Sequence, residues 1–302
     1  MALLTLIRTH RRVAWLGAWL IATLLLVVCA RGIEWTRALE VISTARVGWL
    51  GAAVLLNGAI LLCWAMFWRT LLPADGAPVA YRRMFEIVST ASSLMNTVPF
   101  GGGHATSLVL LSRRGGATQR GALSVIALDQ LGEGLVKVSM FLLVAALVPL
   151  PVWMKAGVTT ASLAVAAWLV TLMVASRWTA ELKILKQWQR SAFALACVVA
   201  MKTAEGLGIA AVQHAFGVNI SASGTLLVLA AVVLGTMLPV APGNLGTYEA
   251  SAFLAYRYLG VSPEQALTLA IVDHVCFMLP TVGVGYLFIS AHTLARSAIA
   301  SR

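Results

Sequence analysis

The chain reads as an all-α, polytopic integral membrane protein with about six spanning helices and two Pro/Gly-broken re-entrant segments related as inverted repeats. Three observations predict this. Hydrophobic residues make up 60% of 302 and charged residues 11%, a balance that soluble globular domains do not carry. The apolar residues gather in runs of about 20, the length that crosses a hydrocarbon core. A shift of 144 residues then places Gly102 on Gly246, Arg113 on Arg257, Gly116 on Gly260, Ala122 on Ala266 and Asp129 on Asp273.

Taken in order, Arg8, Arg11 and Arg12 precede an apolar run at 13–30. That run ends in Cys29-Ala-Arg-Gly rather than a small-x-small cleavage site, so a retained first helix is expected. Residues 31–46 carry charges at three-residue steps and read as an amphipathic helix along one interface. Further spans are expected at 47–67, 121–149, 157–176, 191–217 and 265–295. Residues 177–190, with Trp178 and Trp188, read as a second interfacial segment. Two other apolar stretches, 84–112 and 225–256, are cut by Val98-Pro-Phe-Gly-Gly-Gly-His104 and by Leu238-Pro-Val-Ala-Pro-Gly-Asn-Leu-Gly246. Proline removes a backbone donor and glycine loosens the chain, so neither stretch crosses as one straight helix. Broken backbone at membrane depth must be covered by protein or by a wet cavity. Re-entrant hairpins are the economical reading, and broken spanning helices are the alternative. The whole chain, 1–302, is one transmembrane domain with internal repeats at about 84–149 and 225–295, and no soluble domain is expected.

The basic residues test this layout. With the N-terminus in the cytoplasm and both hairpins returning to their side of origin, fifteen of the 22 Lys and Arg fall in cytoplasmic segments. Arg31, Arg37, Arg46, Lys155 and Arg257 fall outside, and Lys137 and Lys202 lie within spans. That bias follows the positive-inside rule and puts both termini in the cytoplasm. Three crossings separate the hairpins, so the two repeats enter from opposite faces. The net charge of +11 is then explained by orientation and anionic headgroups, and nucleic acid is not an expected partner. Cys29, Cys63, Cys197 and Cys276 show neither a disulfide framework nor metal-ligand spacing.

An ionisable side chain in a spanning helix is expensive unless paired or wet, so each one calls for a functional hypothesis. Asp129, Glu133 and Lys137 recur at four-residue steps and share a helix face. They can neutralise one another, but Asp273 repeats Asp129, which favours a proton-coupling or groove-lining role for that pair. Lys202 and Glu205, three apart, fit a structural ion pair or a site equally well. His104 comes after the first break and Glu249 after the second, each near the start of a half-helix whose bare N–H groups can hold an anion. His274 adjoins Asp273, whereas His214 reads as a packed histidine. HExxH, GxSxG and GxxxxGK[ST] are all missing, so no catalytic role, cofactor or metal is expected.

The second break and the half-helix after it, Pro242-Gly-Asn-Leu-Gly-Thr-Tyr-Glu249 with Gly260-Val-Ser, resemble the flippase-like transmembrane family. That family includes the membrane region of lysylphosphatidylglycerol synthases and a hopanoid-associated branch. Its Pro-Gly-Gly-x-Gly-x-x-Glu pattern is matched by Pro242, Gly243, Gly246 and Glu249, with Asn244 replacing the second glycine. The first break is similar to an earlier family motif at Asn96, Pro99 and Gly103, with Gly102 beside them. His104 stands where the family often has Glu, and the expected Arg is missing. The resemblance spans roughly 60–295. It implies a bacterial inner-membrane protein that moves a lipid or lipid-linked headgroup between leaflets, with these residues binding substrate. The missing Arg favours a hopanoid or glycolipid over an anionic phospholipid. The chain lacks the aminoacyl-transfer domain of the synthases, so it is not expected to make aminoacylated lipid. The competing readings are a non-transporting partner of a lipid-biosynthetic enzyme and a secondary transporter of a small anion.

Overall fold

The computed structural model describes residues 16–17, 19–31, 33–72, 79–98, 102–176, 187–237 and 241–300. These form helices and turns, with no strand among them. Helix α1 (Trp19–Ala30) bends by 92° into the short α2 (Trp35–Ser43). Next come α3 (Val47–Leu71), α4 (Tyr81–Thr97), α5 (Gly102–Arg113), α6 (Gln119–Leu147) and α7 (Val152–Ser176). The second half holds α8 (Trp188–Ala215), α9 (Ala222–Gly235), α10 (Thr247–Tyr258) and α11 (Pro263–Ala300).

Helix ends recur at the interval seen in the sequence. Leu71 and Ala215, which end α3 and α8, are 144 positions apart, as are Gln119 and Pro263, which begin α6 and α11. The local chemistry recurs with them. Thr118 Oγ1 accepts the Gly121 N–H at 3.0 Å, and Ser262 Oγ accepts the Gln265 N–H at 3.3 Å; each caps the helix that begins beside it. Gly116 and Gly260 stop the preceding helices at φ of 65° and 83°, a left-handed conformation that costs glycine nothing.

The equivalent helices α3 and α8 pack side by side and antiparallel. The Arg46 N–H at the start of α3 donates to the Ala215 carbonyl at the end of α8, at 2.9 Å. Gly208 lets α8 close onto Asn57, whose amide would lie 2.8 Å from any Cβ there. Around this pair, α4 packs along α11 and α9 along α6. Two apolar clusters result. One gathers Leu61, Trp68, Met84, Leu111 and Val125 around α4 and α5. The other gathers Phe141, Ile209, Tyr256 and Leu269 around α9 and α10.

Four helices, α3, α6, α8 and α11, are long and apolar enough to cross a bilayer among the described residues, or five spans if the bent α1–α2 pair counts as one. Six were expected. The chain turns after Ala30, where the expected first span ends and the expected interfacial segment begins, and the span expected at 157–176 falls within α7, which is not among those four helices. Helix α3 outruns its expected end at 67 because Trp68 and Leu71 are buried in the first cluster and hold the last turn in place. Both apolar stretches with Pro and Gly are broken: α4 stops at Thr97 before α5, and α9 stops at Gly235. A single 3₁₀ turn, Pro242–Asn244, then leads towards α10. Pro99 and residues 238–240 lie outside the described residues, as do Arg8, Arg11, Arg12 and 177–186.

Helices α4 and α11 approach through small residues, as apolar helices do when packing must replace hydrophobic driving force. Ser93 Oγ donates to the Val282 carbonyl, and a Cβ on Gly285 would stand 2.1 Å from the Ser89 carbonyl oxygen. Gly285→Ala should therefore overpack this seam and lower the thermal midpoint in detergent by about 5 °C or more, equivalent to about 1–3 kcal/mol. Gly157→Ala, whose Cβ meets nothing within 4 Å, should leave the midpoint unchanged.

Candidate functional site

Between the two apolar clusters lies a cavity of about 560 Å³, within the range of sites for drug-sized ligands. Both broken segments reach it. The first contributes Asn96 from the end of α4 and His104 from the first turn of α5, and the second contributes Gly243 and Asn244. The segments touch: a Cβ on Gly243 would lie 3.4 Å from the Asn96 carbonyl oxygen. Gly103, beneath His104, lets α5 fold back on α4, since a Cβ there would be 2.4 Å from Met95 Cα.

The remaining wall is charged. Helix α6 presents Asp129, Glu133 and Lys137, and α8 presents Lys202 and Glu205. Glu133 Oε2 is 2.7 Å from Lys137 Nζ, four residues away on the same helix. Lys202 Nζ is 2.8 Å from Glu205 Oε2, three residues away. Asp129 is almost wholly enclosed at 2% exposure. Its Oδ1 accepts the indole N–H of Trp64 at 2.9 Å and of Trp68 at 2.8 Å, and its Oδ2 accepts from Gln130 Nε2 at 3.2 Å. Burial without such partners would leave a desolvated charge.

The second-repeat residues form a connected network behind the wall. Tyr248 stacks on His274 with ring centroids 4.1 Å apart and planes 6° from parallel, and both line the cavity. The Tyr248 hydroxyl donates to Asp273 Oδ2 at 3.2 Å. His274 Nδ1 lies 2.7 Å from Glu249 Oε1; a carboxylate can only accept, so the proton sits on Nδ1. Glu249 Oε2 accepts the Gly246 N–H at 2.7 Å, closing the N-terminus of α10 with its own side chain.

The structure thus brings Asn96, His104, Asp129, Glu133, Lys202, Glu205, Gly243, Asn244 and His274 to one cavity. Asp273 and Glu249 are buried one layer behind, supporting Tyr248 and His274. Gly246 faces α1, where a Cβ would be 2.5 Å from the Ala22 carbonyl oxygen. Gly102 and Gly103 begin α5 and Pro242 begins the 3₁₀ turn, and none of the three is among the cavity's lining residues. Sequence reasoning missed Trp64, Trp68, Tyr248 and Trp168. Tyr248 sits directly beside Glu249 in the second motif, which was the available signal. Trp64 and Trp68 are 65 and 61 residues from the carboxylate they hold, and neither they nor Trp168 carry a local mark.

Among the lining residues, Trp168 on α7 and Met237 after α9 are 46% and 42% exposed, and His104 is exposed as well. The exposed rim thus combines Trp168 and Met237 with His104, and the interior sets the charged side chains among apolar neighbours such as Ile60, Met201 and Val233. No group of three or more His, Cys, Asp or Glu among the described residues is placed to hold a metal ion.

The sequence profile described as the lysylphosphatidylglycerol synthase TM region matches residues 15–285. The chain belongs to that family and, with its apolar helices, is a multi-pass membrane protein. Comparison with curated proteins and with solved structures returns no significant match.

Because Glu249 and His274 form a buried pair, their substitutions should not be additive. A double-mutant cycle of Glu249→Gln and His274→Phe, read by thermal unfolding, should give a coupling of about 0.5–3 kcal/mol. Additivity within about 0.3 kcal/mol would mean that the pair contributes nothing.

Proposed function

Starting from membership in that family, we propose that the chain is a lipid translocase of a bacterial inner membrane, acting as a transporter rather than an enzyme. The two broken segments are re-entrant and belong to inverted repeats, with both termini in the cytoplasm. The observation that carries this reading is that a single cavity collects polar residues from both breaks and from three long apolar helices. Sites at the junction of paired broken segments suit alternating access, because one repeat can rock against the other around a fixed polar centre.

In this mechanism a headgroup enters past Trp168, Met237 and His104 while its acyl tails stay in lipid. Asn96, Asn244, Gln130 and the Glu133–Lys137 and Lys202–Glu205 pairs replace the water that the headgroup gives up. Without such replacement, moving a polar headgroup through hydrocarbon costs several kcal/mol per unsatisfied group. Glu249 and Asp273 hold the ring surfaces of His274 and Tyr248 in place, and Asp129 fixes Trp64 at the wall.

The test is leaflet exchange in proteoliposomes carrying fluorescent lipids of several headgroups, followed by external quenching. The wild type should exceed protein-free vesicles at least tenfold for one headgroup class. Lys202→Met/Glu205→Gln removes an ion pair as a unit and leaves no lone buried charge. It should keep the fold and lose most of the exchange. Absence of exchange by folded wild type for every headgroup would contradict the proposal and favour an accessory role beside a lipid-biosynthetic enzyme.

A further inference from the structure

A separate pocket of about 460 Å³ lies where the start of α4, the turn after α5 and the C-terminal part of α11 meet. Its walls carry Arg82 and Arg83 from α4, Arg114 from the turn and His292 from α11, and Glu86 is the single carboxylate among its lining residues. Glu86 Oε1 is 3.6 Å from Arg82 Nε, and the Arg82 side chain is 92% exposed, so this pair is a weak one. Among the described residues, no carboxylate forms an ion pair with Arg83 or Arg114. A guanidinium does not give up its proton in a protein. The pocket therefore holds positive charge that its own residues do not match.

Orientation in a membrane asks for basic residues on one side of the bilayer, but not for their convergence from separate helices on one hollow. Nor does the repeated architecture ask for them. A shift of 144 residues places Leu226, Leu227 and Tyr258 at the positions of Arg82, Arg83 and Arg114. On the facing helix, His292 Nδ1 lies 2.7 Å from the Phe288 carbonyl. That oxygen can only accept, so Nδ1 carries the proton and Nε2 is left for a ligand.

The surroundings select the kind of anion. One turn along the same two helices, Phe85 and Phe288 meet edge to face with ring centroids 6.1 Å apart, and the neighbouring Leu287 is 71% exposed. A basic hollow beside an outward-facing apolar seam suits a molecule with an anionic head and acyl chains better than a soluble anion. Paired guanidinium forks match the oxygens of a phosphate.

We propose that this pocket binds the phosphate of an anionic phospholipid, with Arg83 and Arg114 as its charged donors and His292 on the facing helix. The lipid is a bound partner and not cargo, and the site stands independently of the translocase reading. Its phosphate bridges α4 to α11, the helices already joined by the Ser93–Val282 hydrogen bond and the close approach at Gly285. Occupancy thus braces the seam between the two halves of the chain.

Full-length protein in a neutral detergent is titrated with phosphatidate and with phosphatidylcholine, and bound lipid is followed by native mass spectrometry. Phosphatidate should bind about tenfold more tightly than phosphatidylcholine, or better, and should raise the thermal midpoint. Arg83→Gln/Arg114→Gln should lose about tenfold in phosphatidate affinity. Arg83→Lys/Arg114→Lys, which keeps the charge but not the fork, should lose part of it. Arg69→Gln/Arg190→Gln removes the same charge from another surface pocket and should bind as the wild type does. Equal losses in the two Gln pairs would reduce the effect to general attraction towards basic residues and overturn the site, as would equal affinity for the two lipids. Displacement of phosphatidate by excess inorganic phosphate at constant ionic strength would assign the pocket to a free anion and refute the lipid. Binding lost in Lys202→Met/Glu205→Gln but kept in Arg83→Gln/Arg114→Gln would place the lipid in the central cavity, refuting this site while favouring the translocase reading.

Discussion

A charge placed inside an apolar helical bundle must find a partner in the protein, because lipid offers none. That constraint organises this molecule. Glu133 and Lys202 meet it with partners on their own helices. Asp129 meets it by drawing two indoles of α3 against α6. Glu249 and Asp273 meet it by tying α10 to α11 through His274 and Tyr248. The solutions that cross between helices are also packing instructions, since a hydrogen bond to a buried carboxylate fixes the separation and rotation of the helices that make it. The charges of the cavity wall are thus held from behind or from the side.

The second constraint is backbone. Interrupting α4–α5 and α9–α10 frees peptide groups that a continuous helix would have paired, and each break needs its own closure. At the second break, Glu249 caps α10, the 3₁₀ turn reuses the Ala241 carbonyl, and Gly246 packs against α1. At the first, Asn96 and Thr97 return side-chain hydrogen bonds to the carbonyls of Ser92 and Ser93. Closing the breaks inward leaves side chains such as His104 and Asn244 facing common space. The same geometry that makes an interrupted helix tolerable therefore makes a polar cavity.

Much of this was legible in the sequence because its signals are local. The apolar runs, the interruptions by Pro and Gly and the 144-residue repeat are all carried by residues close together in each copy. The pairs Glu133–Lys137 and Lys202–Glu205 arise from helical spacing alone. Contacts made across the fold were not legible. Glu249 reads as a residue at a helix start, open to an anion, until His274 arrives from 25 residues away to occupy it. Trp64 and Trp168 are two of ten tryptophans in a greasy chain, and nothing nearby separates a cavity wall from a membrane anchor.

A cavity that admits a lipid headgroup must open sideways to the bilayer. Spin labels at Trp168, Met237 and Thr236 in a lipid bilayer test it most directly, with oxygen reporting lipid and a water-soluble nickel chelate reporting water. An open cavity predicts that labels at 168 and 237 relax mainly with oxygen and that the label at 236, lining the interior, relaxes with nickel. Shielding of all three positions from both reagents would show a packed interface in place of an open cavity and would contradict it.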